Sequence, residues 1–539
     1  MESGRWNRKN DIRKERKIMA ITNSMENFEM IVNDDFIKKA DALIPELIKT
    51  EITPEQIVTI EPDGDNYKAV FKSDIEELKN IEMGRDDKVI LDFGNHNVGY
   101  VKFNITSAGS PPDAPAYIRI KFGEIPVEIV ENSGEYSGDI GKGWIQEEFL
   151  HIDILPTVIE MPRRYAFRYM EIKVIDTSSK YRVVLEKVSC TSVTSADMSK
   201  VTTLPAFDED LSKMDRVALR TMQGCMQKGF EDGPKRDRRL WIGDLRLQAQ
   251  TNYVTFHNND LVKHDLYLYA GLTMNEGRVG ACLFTEPKYQ VDDTALFDYS
   301  LFFVSILYDY YMETKDEETR KDLTATAYRQ IELAVRELDD EGIVKDKETW
   351  WCFIDWADGL NKQAGAQGIL VYALRHGIKL AEFDQNEEKA KEYTGYLEKA
   401  IAGAMKLWDA EKGFFVSGSE KQISWASQVW MVLADVFGDK AKNAQLLEHT
   451  IVIDPKIRMV TPYMYHHFIE ALIQNNRKEV ALSFMRAYWG EMVKDGADTF
   501  WELYDPADKN VAPYGSKMVN SYCHAWSCSP SYIIRKYLI

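Results

Sequence analysis

The sequence predicts two kinds of domain in one chain, an N-terminal antiparallel β-sandwich followed by an (α/α)6 barrel of six helical hairpins. Up to about residue 200, apolar and polar residues alternate with a period of two, as in half-buried strands. Beyond that point the apolar residues recur with the 3.6-residue period of a helix. The helical pattern recurs about twelve times, which is the number of helices that six hairpins need.

The N-terminal half is rich in β-branched and aromatic segments that turn-forming residues separate. Short strands divided by turn signals are typical of a sandwich. We therefore expect a flexible leader at residues 1–25 and a β-sandwich domain at residues 26–200. The predicted strands lie at 54–62, 89–94, 99–105, 116–125, 168–175 and 181–190.

The second half, residues 201–539, is predicted to form the helical catalytic domain. In its first helix, Leu211, Met214, Met222 and Cys225 fall on one face. The predicted helices lie at 208–228, 243–259, 261–272, 293–314, 318–338, 364–382, 386–408, 423–437, 440–452, 462–475, 478–492 and 516–537.

The composition and the N-terminal sequence indicate which binding partners and which cellular compartment to expect. The net charge of -19 disfavours nucleic acid, because an acidic surface repels phosphate. The N-terminus is basic without an apolar core and no apolar stretch is long enough to span a bilayer, which predicts a cytoplasmic protein without a membrane partner. The scattered cysteines predict free thiols, and the absence of nucleotide-binding and metal-binding motifs predicts neither cofactor nor metal. A homo-oligomer is possible, and the sequence does not decide the oligomeric state.

One loop, EDGPKRDRRLWIGD at 231–244, concentrates carboxylates and arginines around a Gly-Pro turn and a tryptophan. Arginines hold carboxylates by bidentate hydrogen bonds and shift their pKa values. Loops with such a mixture are where function concentrates, although Asp244 is also suited to be the N-cap of the next helix. The candidate residues are Asp232, Arg236, Asp237, Trp241 and Asp244.

Three further segments, 348–360, 500–505 and 520–530, combine tryptophans with carboxylates or a histidine. Flat aromatic rings stack on the apolar faces of sugars, and a carboxylate among aromatic residues has its pKa shifted by desolvation. Core packing explains single tryptophans equally well, and His524 alone is also consistent with a structural histidine. The candidate residues are Trp350, Trp351, Asp355, Trp356, Trp501, Glu502, His524 and Trp526.

Two carboxylates in separate loops fit the cleavage of a glycosidic bond. One carboxyl group protonates the leaving oxygen, and in an inverting enzyme the other activates water from roughly 6.5–9.5 Å away. Loops at one end of a ring of hairpins can bring such distant segments to a common cleft. The sequence therefore predicts a carbohydrate or glycoside as the small-molecule partner.

Seven segments, in order along most of the chain, resemble glycoside hydrolase family 78, the α-L-rhamnosidases. The loop DGPKRDRRLWIGD (232–244) resembles the most specific signature of that family. FWELYD (500–505) resembles its WERWD motif. The other segments are LDFGNHNVGYVKFNI (91–105), FRYMEIKV (167–174), FIDW (353–356), TPYMYHHFIEAL (461–472) and SYCHAWS (521–527).

The resemblance implies an inverting glycosidase with an (α/α)6 fold and no obligatory metal. By position it implies that Glu502 is the general base that activates water and that Asp232 and Asp244 bind sugar. Asp237 lies where the general acid is expected, but members of the family usually have glutamate there. The predicted function is release of terminal α-L-rhamnose, or a similar sugar, from glycosides or oligosaccharides.

Two other functions stay open. The missing loop glutamate is compatible with a non-catalytic carbohydrate-binding protein on the same scaffold. The loop cations Lys235, Arg236, Arg238 and Arg239 are compatible with another six-hairpin enzyme, such as an unsaturated glucuronyl hydrolase or a polysaccharide lyase, because they could bind a uronate carboxylate. Fold alone does not separate these possibilities.

Overall fold

The structure, a computed structural model, describes residues 28–205, 207–348 and 351–539, and it confirms the fold class. The predicted leader at residues 1–25 lies outside this part of the chain. The contacts divide the molecule into two compact units. The β unit comprises Pro45–Arg238 and Tyr488–Cys528, and the helical unit comprises the described residues up to Ile44, Arg239–Ala487 and Ser529–Ile539. The domain boundary expected near residue 200 stays a prediction.

The β unit is built on an antiparallel sheet of nine strands. Alternate residues of each central strand enter the core: in Ala116–Gly123, for example, Ile118 and Ile120 are fully buried and Arg119 between them is not. The strands are Ile48–Ile52, Gln56–Asp63, Asn66–Asp74, Lys88–Gly109, Ala116–Gly123, Glu147–Ile152, Thr157–Glu160, Tyr165–Asp176 and Tyr181–Thr194.

The strand Lys88–Gly109 joins the two segments that the sequence predicts separately at 89–94 and 99–105. Its first half pairs with Gln56–Asp63 and Tyr165–Asp176, and its second half pairs with Tyr181–Thr194 and Thr157–Glu160. The two halves thus have different neighbours on both edges, as in a strand that passes between the layers of a sandwich. In its pairing with Tyr165–Asp176 the register shifts between residues 92 and 97, as at a β-bulge.

The helical unit contains the predicted hairpins. The helix Phe297–Thr314 is buried along most of its length, whereas Glu387–Lys406 buries only a few small residues and one tyrosine, so the helices divide into inner and outer ones. The helices are Asp34–Asp41, Ile242–Tyr253, Asn259–Gly271, Phe297–Thr314, Glu317–Val335, Gln363–Phe383, Glu387–Lys406, Trp425–Leu433, Lys440–Ile453, Pro462–Gln474, Lys478–Met485 and Ser529–Ile533.

Side chains at the helix starts explain several boundaries. Asp316 accepts a hydrogen bond from the backbone N–H of Thr319, and Asn386 accepts one from that of Lys389. Such caps satisfy donors that the first turn of a helix leaves unpaired. Short strands also lie before and between the helices, at Ile31–Val32, Leu240–Trp241, Leu272–Met274, Arg278–Val279, Cys282–Phe284, Gln290–Val291, Trp408–Asp409 and Phe414–Phe415.

One predicted helix, 208–228, and the end of another, 478–492, belong to the β unit. The helix Glu209–Cys225 forms as predicted but packs in the β unit, as does the short helix Glu491–Lys494. The prediction of one helix over 516–537 is wrong, because a helix begins only at Ser529. Before it the backbone forms single 3-10 turns, Lys517–Val519 and Ala525–Ser527, and its donors and acceptors bind other loops of the β unit.

The part of the chain that the structure describes contains no helix long and apolar enough to cross a bilayer. All six cysteines are buried free thiols.

Two glycine-to-alanine substitutions should change thermal stability in opposite directions. A Cβ atom at Gly99 would lie 2.3 Å from the carbonyl oxygen of Thr191, so Gly99→Ala should destabilise the protein by about 1–3 kcal/mol. A Cβ atom at Gly395, in an exposed helical position, meets nothing within 4 Å. Gly395→Ala should stabilise by about 0.5–1 kcal/mol. Thermal unfolding of both variants beside the parent checks this, and a neutral Gly99→Ala would contradict the close strand packing.

Candidate active site

The β unit brings the loop after the helix Glu209–Cys225 against the C-terminal part of its second segment. The backbone N–H of Ala525 donates to the carbonyl of Asp232 at 2.9 Å. The N–H of Glu502 donates to Ser521 at 3.0 Å, and the N–H of His524 donates to Phe500 at 2.9 Å. These bonds fix three stretches of chain side by side, so Asp232, Glu502 and His524 meet although nearly 300 residues separate them in sequence.

Glu502 is a buried carboxylate with several donors around it. Its Oε1 accepts a hydrogen bond from the hydroxyl of Tyr514 at 2.9 Å, and its Oε2 accepts one from the N–H of Ser521 at 3.4 Å. Arg236 donates from Nη2 to the same Oε2. Burial alone would raise the pKa of Glu502, but the charge of Arg236, with His524 and Tyr514, holds it below its usual value. The group is therefore held as the anion.

Arg236 is itself fixed on three sides. Its Nε donates to the carbonyl of Val519 at 3.1 Å, and the guanidinium lies 4.3 Å from the centre of the Tyr514 ring. Its Nη1 lies 3.4 Å from Oδ1 of Asp237. One guanidinium thus contacts both predicted catalytic carboxylates, Glu502 through Nη2 and Asp237 through Nη1. Its rigid fork fixes both contacts in one geometry.

Asp237 differs from Glu502 in exposure and backbone. Its side chain keeps 22% of its surface exposed, against 4% for Glu502. Asp237 and Arg238 both adopt left-handed backbone conformations, with φ of 62° and 55°. Such conformations cost free energy for residues other than glycine and persist where the surroundings over-determine them. The turn closes with a hydrogen bond from the N–H of Arg238 to the carbonyl of Gly233 at 3.2 Å.

His524 lies between two carboxylates, with Nε2 3.8 Å from Asp232 Oδ2 and 3.9 Å from Glu502 Oε1. Burial lowers the pKa of His524 to about 4, against the opposing effect of Glu502. The imidazole is therefore neutral at pH 7 and has one N–H to donate. Neither carboxylate is neutralised by it at that pH.

The two tryptophans of this region have different roles. Trp526 donates from Nε1 to the carbonyl oxygen of Glu502 at 2.9 Å, and its ring lies 4.6 Å from that of His524. It therefore holds the backbone of Glu502 in place. Trp501 is buried edge to face against Tyr504 and Tyr522, which is the packing of a core residue. A sugar-binding role for either tryptophan stays a prediction.

The helical unit holds the other predicted residues. Trp241 is half-buried at the start of the helix Ile242–Tyr253, edge to face with Tyr299 at 6.4 Å. Asp244 lies in the first turn of that helix and is buried. Trp241, not Asp244, occupies the N-cap position, so the capping alternative for Asp244 is wrong. A carboxylate in a first turn is stabilised by the helix dipole.

A cavity of about 500 Å³ in the helical unit contains the second tryptophan cluster. Trp351 and Trp356 line it, together with Asp346, Asp358 and Asn361. Trp351 donates from Nε1 to the carbonyl of Lys347 at 3.1 Å. Trp350 lies outside the described residues. Aromatic faces beside acceptors suit a sugar, as predicted for this segment.

Asp355 also borders the cavity, but its carboxylate binds the protein. Oδ1 accepts from the N–H of Trp356 and from the N–H and hydroxyl of Thr461, and Oδ2 accepts from the N–H of Val460, all at 2.8–3.0 Å. Burial raises the pKa of Asp355 to about 6, against the opposing effect of these bonds. Three of these four donors go to Oδ1 and one goes to Oδ2, so both oxygens are engaged with the protein. Asp355 therefore positions Trp356 and the helix that starts at Pro462, and direct sugar binding by it stays only a prediction.

Among the residues that the structure describes, no cluster of three or more His, Cys, Asp or Glu side chains is arranged to hold a metal ion. Sequence reasoning missed Tyr514, Ser521 and the buried pair Glu124 and Glu128. Tyr514 lies in a loop without a motif, so no signal was available for it. Glu124 lies at the end of the predicted strand 116–125 and Glu128 three residues beyond it, and two carboxylates so close to a strand end are a signal that could have drawn attention.

Both halves of the chain match family models. Residues 54–192 match the glycosyl hydrolase family 78 alpha-rhamnosidase N-terminal domain. Residues 199–538 match the bacterial alpha-L-rhamnosidase 6 hairpin glycosidase domain. No curated protein sequence matches the chain.

Solved structures are similar over nearly the whole chain. A rhamnosidase from Klebsiella oxytoca with rhamnose bound is 45% identical, with 95% of this chain and 100% of that chain covered and a TM-score of 0.92. The family 78 rhamnosidase of Bacillus sp. GL1 is 20% identical, with 89% and 47% covered and a TM-score of 0.69. The α-L-rhamnosidase of Streptomyces avermitilis, complexed with L-rhamnose, is 15% identical, with 91% and 44% covered and a TM-score of 0.64. The last two share the fold.

The bonds of Asp355 predict a stability effect. In Asp355→Asn, one oxygen becomes an NH2 group that faces a donor, so a buried N–H loses its acceptor and the protein should be destabilised by about 1–3 kcal/mol. Asp358→Asn, an exposed position in the same loop, is the matched control and should melt like the parent. Equal melting temperatures for the two variants would contradict the assigned role of Asp355.

Proposed function

The chain belongs to glycoside hydrolase family 78, the α-L-rhamnosidases, and we propose that it releases terminal α-L-rhamnose from glycosides or oligosaccharides with inversion at the anomeric carbon. The observation that carries the proposal is the buried Glu502, held as an anion by Arg236, Tyr514 and Ser521. A general base must be ionised to take a proton from water, and these donors favour its ionised form.

In this mechanism Glu502 takes a proton from a water molecule that attacks the anomeric carbon. Asp237 gives its proton to the glycosidic oxygen as the bond to the aglycone breaks. Support comes from Arg236, whose two terminal nitrogens contact one carboxylate each, Nη1 that of Asp237 and Nη2 that of Glu502. Two carboxyl groups that stay apart leave room for the attacking water. Inverting enzymes need a separation of roughly 6.5–9.5 Å between them for this purpose. The greater exposure of Asp237 suits a group that must reach a leaving oxygen.

The sugar-binding roles follow from chemistry and stay predictions. Asp232 is an acceptor and neutral His524 a donor, and both suit hydroxyl groups of the sugar beside Glu502. Asp244 is proposed as a further acceptor, and Trp241, Trp351 and Trp356 as apolar surfaces for sugar rings or an aglycone. The rhamnose bound to the Klebsiella oxytoca relative supports rhamnose as the sugar.

The uronate alternative loses support, because two of the loop cations already have carboxylate partners. Lys235 pairs with Glu128 and Glu124, and Arg236 pairs with Glu502. Burial, with nearby arginines, lowers the pKa of Arg238 to about 10, and its Nη2 donates to the carbonyl of Arg164 at 2.9 Å. The cytoplasmic location and self-association stay predictions.

Two variants test the acid and base assignments on p-nitrophenyl α-L-rhamnopyranoside and on a rhamnosyl disaccharide. Glu502→Gln should lower kcat on both substrates by about 100- to 10,000-fold, because the base is lost. Asp237→Asn should cost as much on the disaccharide but little on the nitrophenyl glycoside, whose leaving group needs no proton. Equal losses for Asp237→Asn on the two substrates would contradict the acid assignment.

The pH profile and the product stereochemistry test the same roles independently. Glu502 must be ionised to act, so kcat/KM should fall as pH drops through its pKa, and this fall should come below the usual range for glutamate because Arg236 lowers that pKa. NMR of the first product formed should show β-L-rhamnose. Initial release of the α-anomer would rule out inversion.

A further inference from the structure

The β unit contains a second cluster of charged side chains, behind the candidate active site. Lys235 is buried, and its Nζ lies 2.7 Å from Glu128 Oε1 and 3.1 Å from Glu124 Oε2. Both glutamates are also buried. The imidazole of His96 lies 2.9 Å from the other oxygen of Glu124. None of these four residues has a part in the hydrolysis described above.

The cluster contacts both stretches of chain that surround Glu502, the loop that contains Arg236 and the stretch that contains Ser521. Lys235 immediately precedes Arg236 in the chain, and its ammonium donates to the carbonyl of Asn520. Glu124 accepts a hydrogen bond from the N–H of Tyr522 at 2.7 Å. The residue between these two contact points is Ser521, whose backbone forms hydrogen bonds with Glu502 in both directions. The cluster therefore binds the chain directly beside Arg236 and directly beside Ser521, the two residues that contact the carboxylate of Glu502.

We propose that Lys235, with Glu124 and Glu128, is a positioning device that sets the placement of Arg236 and Ser521 around the catalytic base Glu502. This inference rests on the proposed function of Glu502. Lys235 does not touch the reacting groups: its three donor contacts are Glu124, Glu128 and the carbonyl of Asn520. A buried ion pair contributes little net stability compared with apolar packing, but its geometry is strict and removal of one partner is costly.

Glu128 offers the mildest way to disturb this device. Its Oε2 accepts from the N–H groups of Glu124 and Ile125 at 2.7 and 3.1 Å, and its Oε1 binds Lys235. In Glu128→Gln the single oxygen can serve the two N–H groups only if the amide NH2 faces the ammonium. The ammonium of Lys235 should then move away from residue 128, and the carbonyl of Asn520, which it binds, should move with it.

Glu171→Gln is the matched control. Glu171 is a fully buried carboxylate of the same unit, paired with Lys88 at 2.8 Å and Arg119 at 2.5 Å, and it contacts neither catalytic segment. Its side chain receives the same carboxylate-to-amide change, at a site that also binds cations. Both variants are assayed in the full-length protein on p-nitrophenyl α-L-rhamnopyranoside, well below their melting temperatures, beside Glu502→Gln and the parent. Lys235→Met is added as the stronger variant if it folds.

We expect Glu128→Gln to lower kcat by about 10- to 100-fold with a smaller change in KM, because displacements of about 1 Å can cost that much. The acid limb of its pH profile should move to higher pH, since Glu502 would lose part of its contact with Arg236 and Ser521. Glu171→Gln should keep the parent kcat and acid limb. If Glu502→Gln is inactive but Glu128→Gln and Glu171→Gln have the same kcat and the same acid limb, the positioning proposal fails. If Glu502→Gln retains full activity, the proposed function itself fails.

Discussion

The buried ion pair between Arg236 and Glu502 is the interaction on which the site depends. Desolvation disfavours a charged carboxylate, and without a partner Glu502 would bind a proton and could not act as a base. Tyr514, Val519 and Asp237 contact the guanidinium of Arg236 in the orientation in which it binds Glu502. The loop 231–238 and the segment 500–526 therefore have to be fixed relative to each other, and the hydrogen bonds of Ala525 with Asp232 and of Arg236 with Val519 and Glu502 join them.

The sequence was sufficient for the fold class and for the parts of the site with local signals. A period of two becomes a period of 3.6 near residue 200, and the predicted hairpin helices form between residues 242 and 485. The motifs DGPKRDRRLWIGD and FWELYD placed Asp232, Arg236, Asp237 and Glu502 on the list of candidates, and the structure brings these residues together. The residues of a motif are neighbours in the sequence, so a motif can be recognised without knowledge of the fold.

Long-range contacts could not be read in that way. The segment 516–528 has helical apolar spacing, but hydrogen bonds to distant loops outweigh that local preference, so single turns form in place of a helix. Glu124 and Glu128 look like strand-end residues until Lys235, more than 100 positions away, is seen between them. Asp355 has the composition of a sugar ligand, yet its oxygens bind Trp356, Val460 and Thr461.

The β unit is made of two stretches of chain that are about 250 residues apart, Pro45–Arg238 and Tyr488–Cys528. At a synthesis rate of about 5–20 residues per second, the first stretch waits on the order of tens of seconds for the second. During that time Arg236 lacks Glu502 and Lys235 lacks the carbonyl of Asn520, although Glu124 and Glu128, the carboxylate partners of Lys235, are already present in the first stretch. A chain that ends before residue 502 therefore lacks the proposed base, and its Arg236 lacks the carboxylate that it binds in the folded protein.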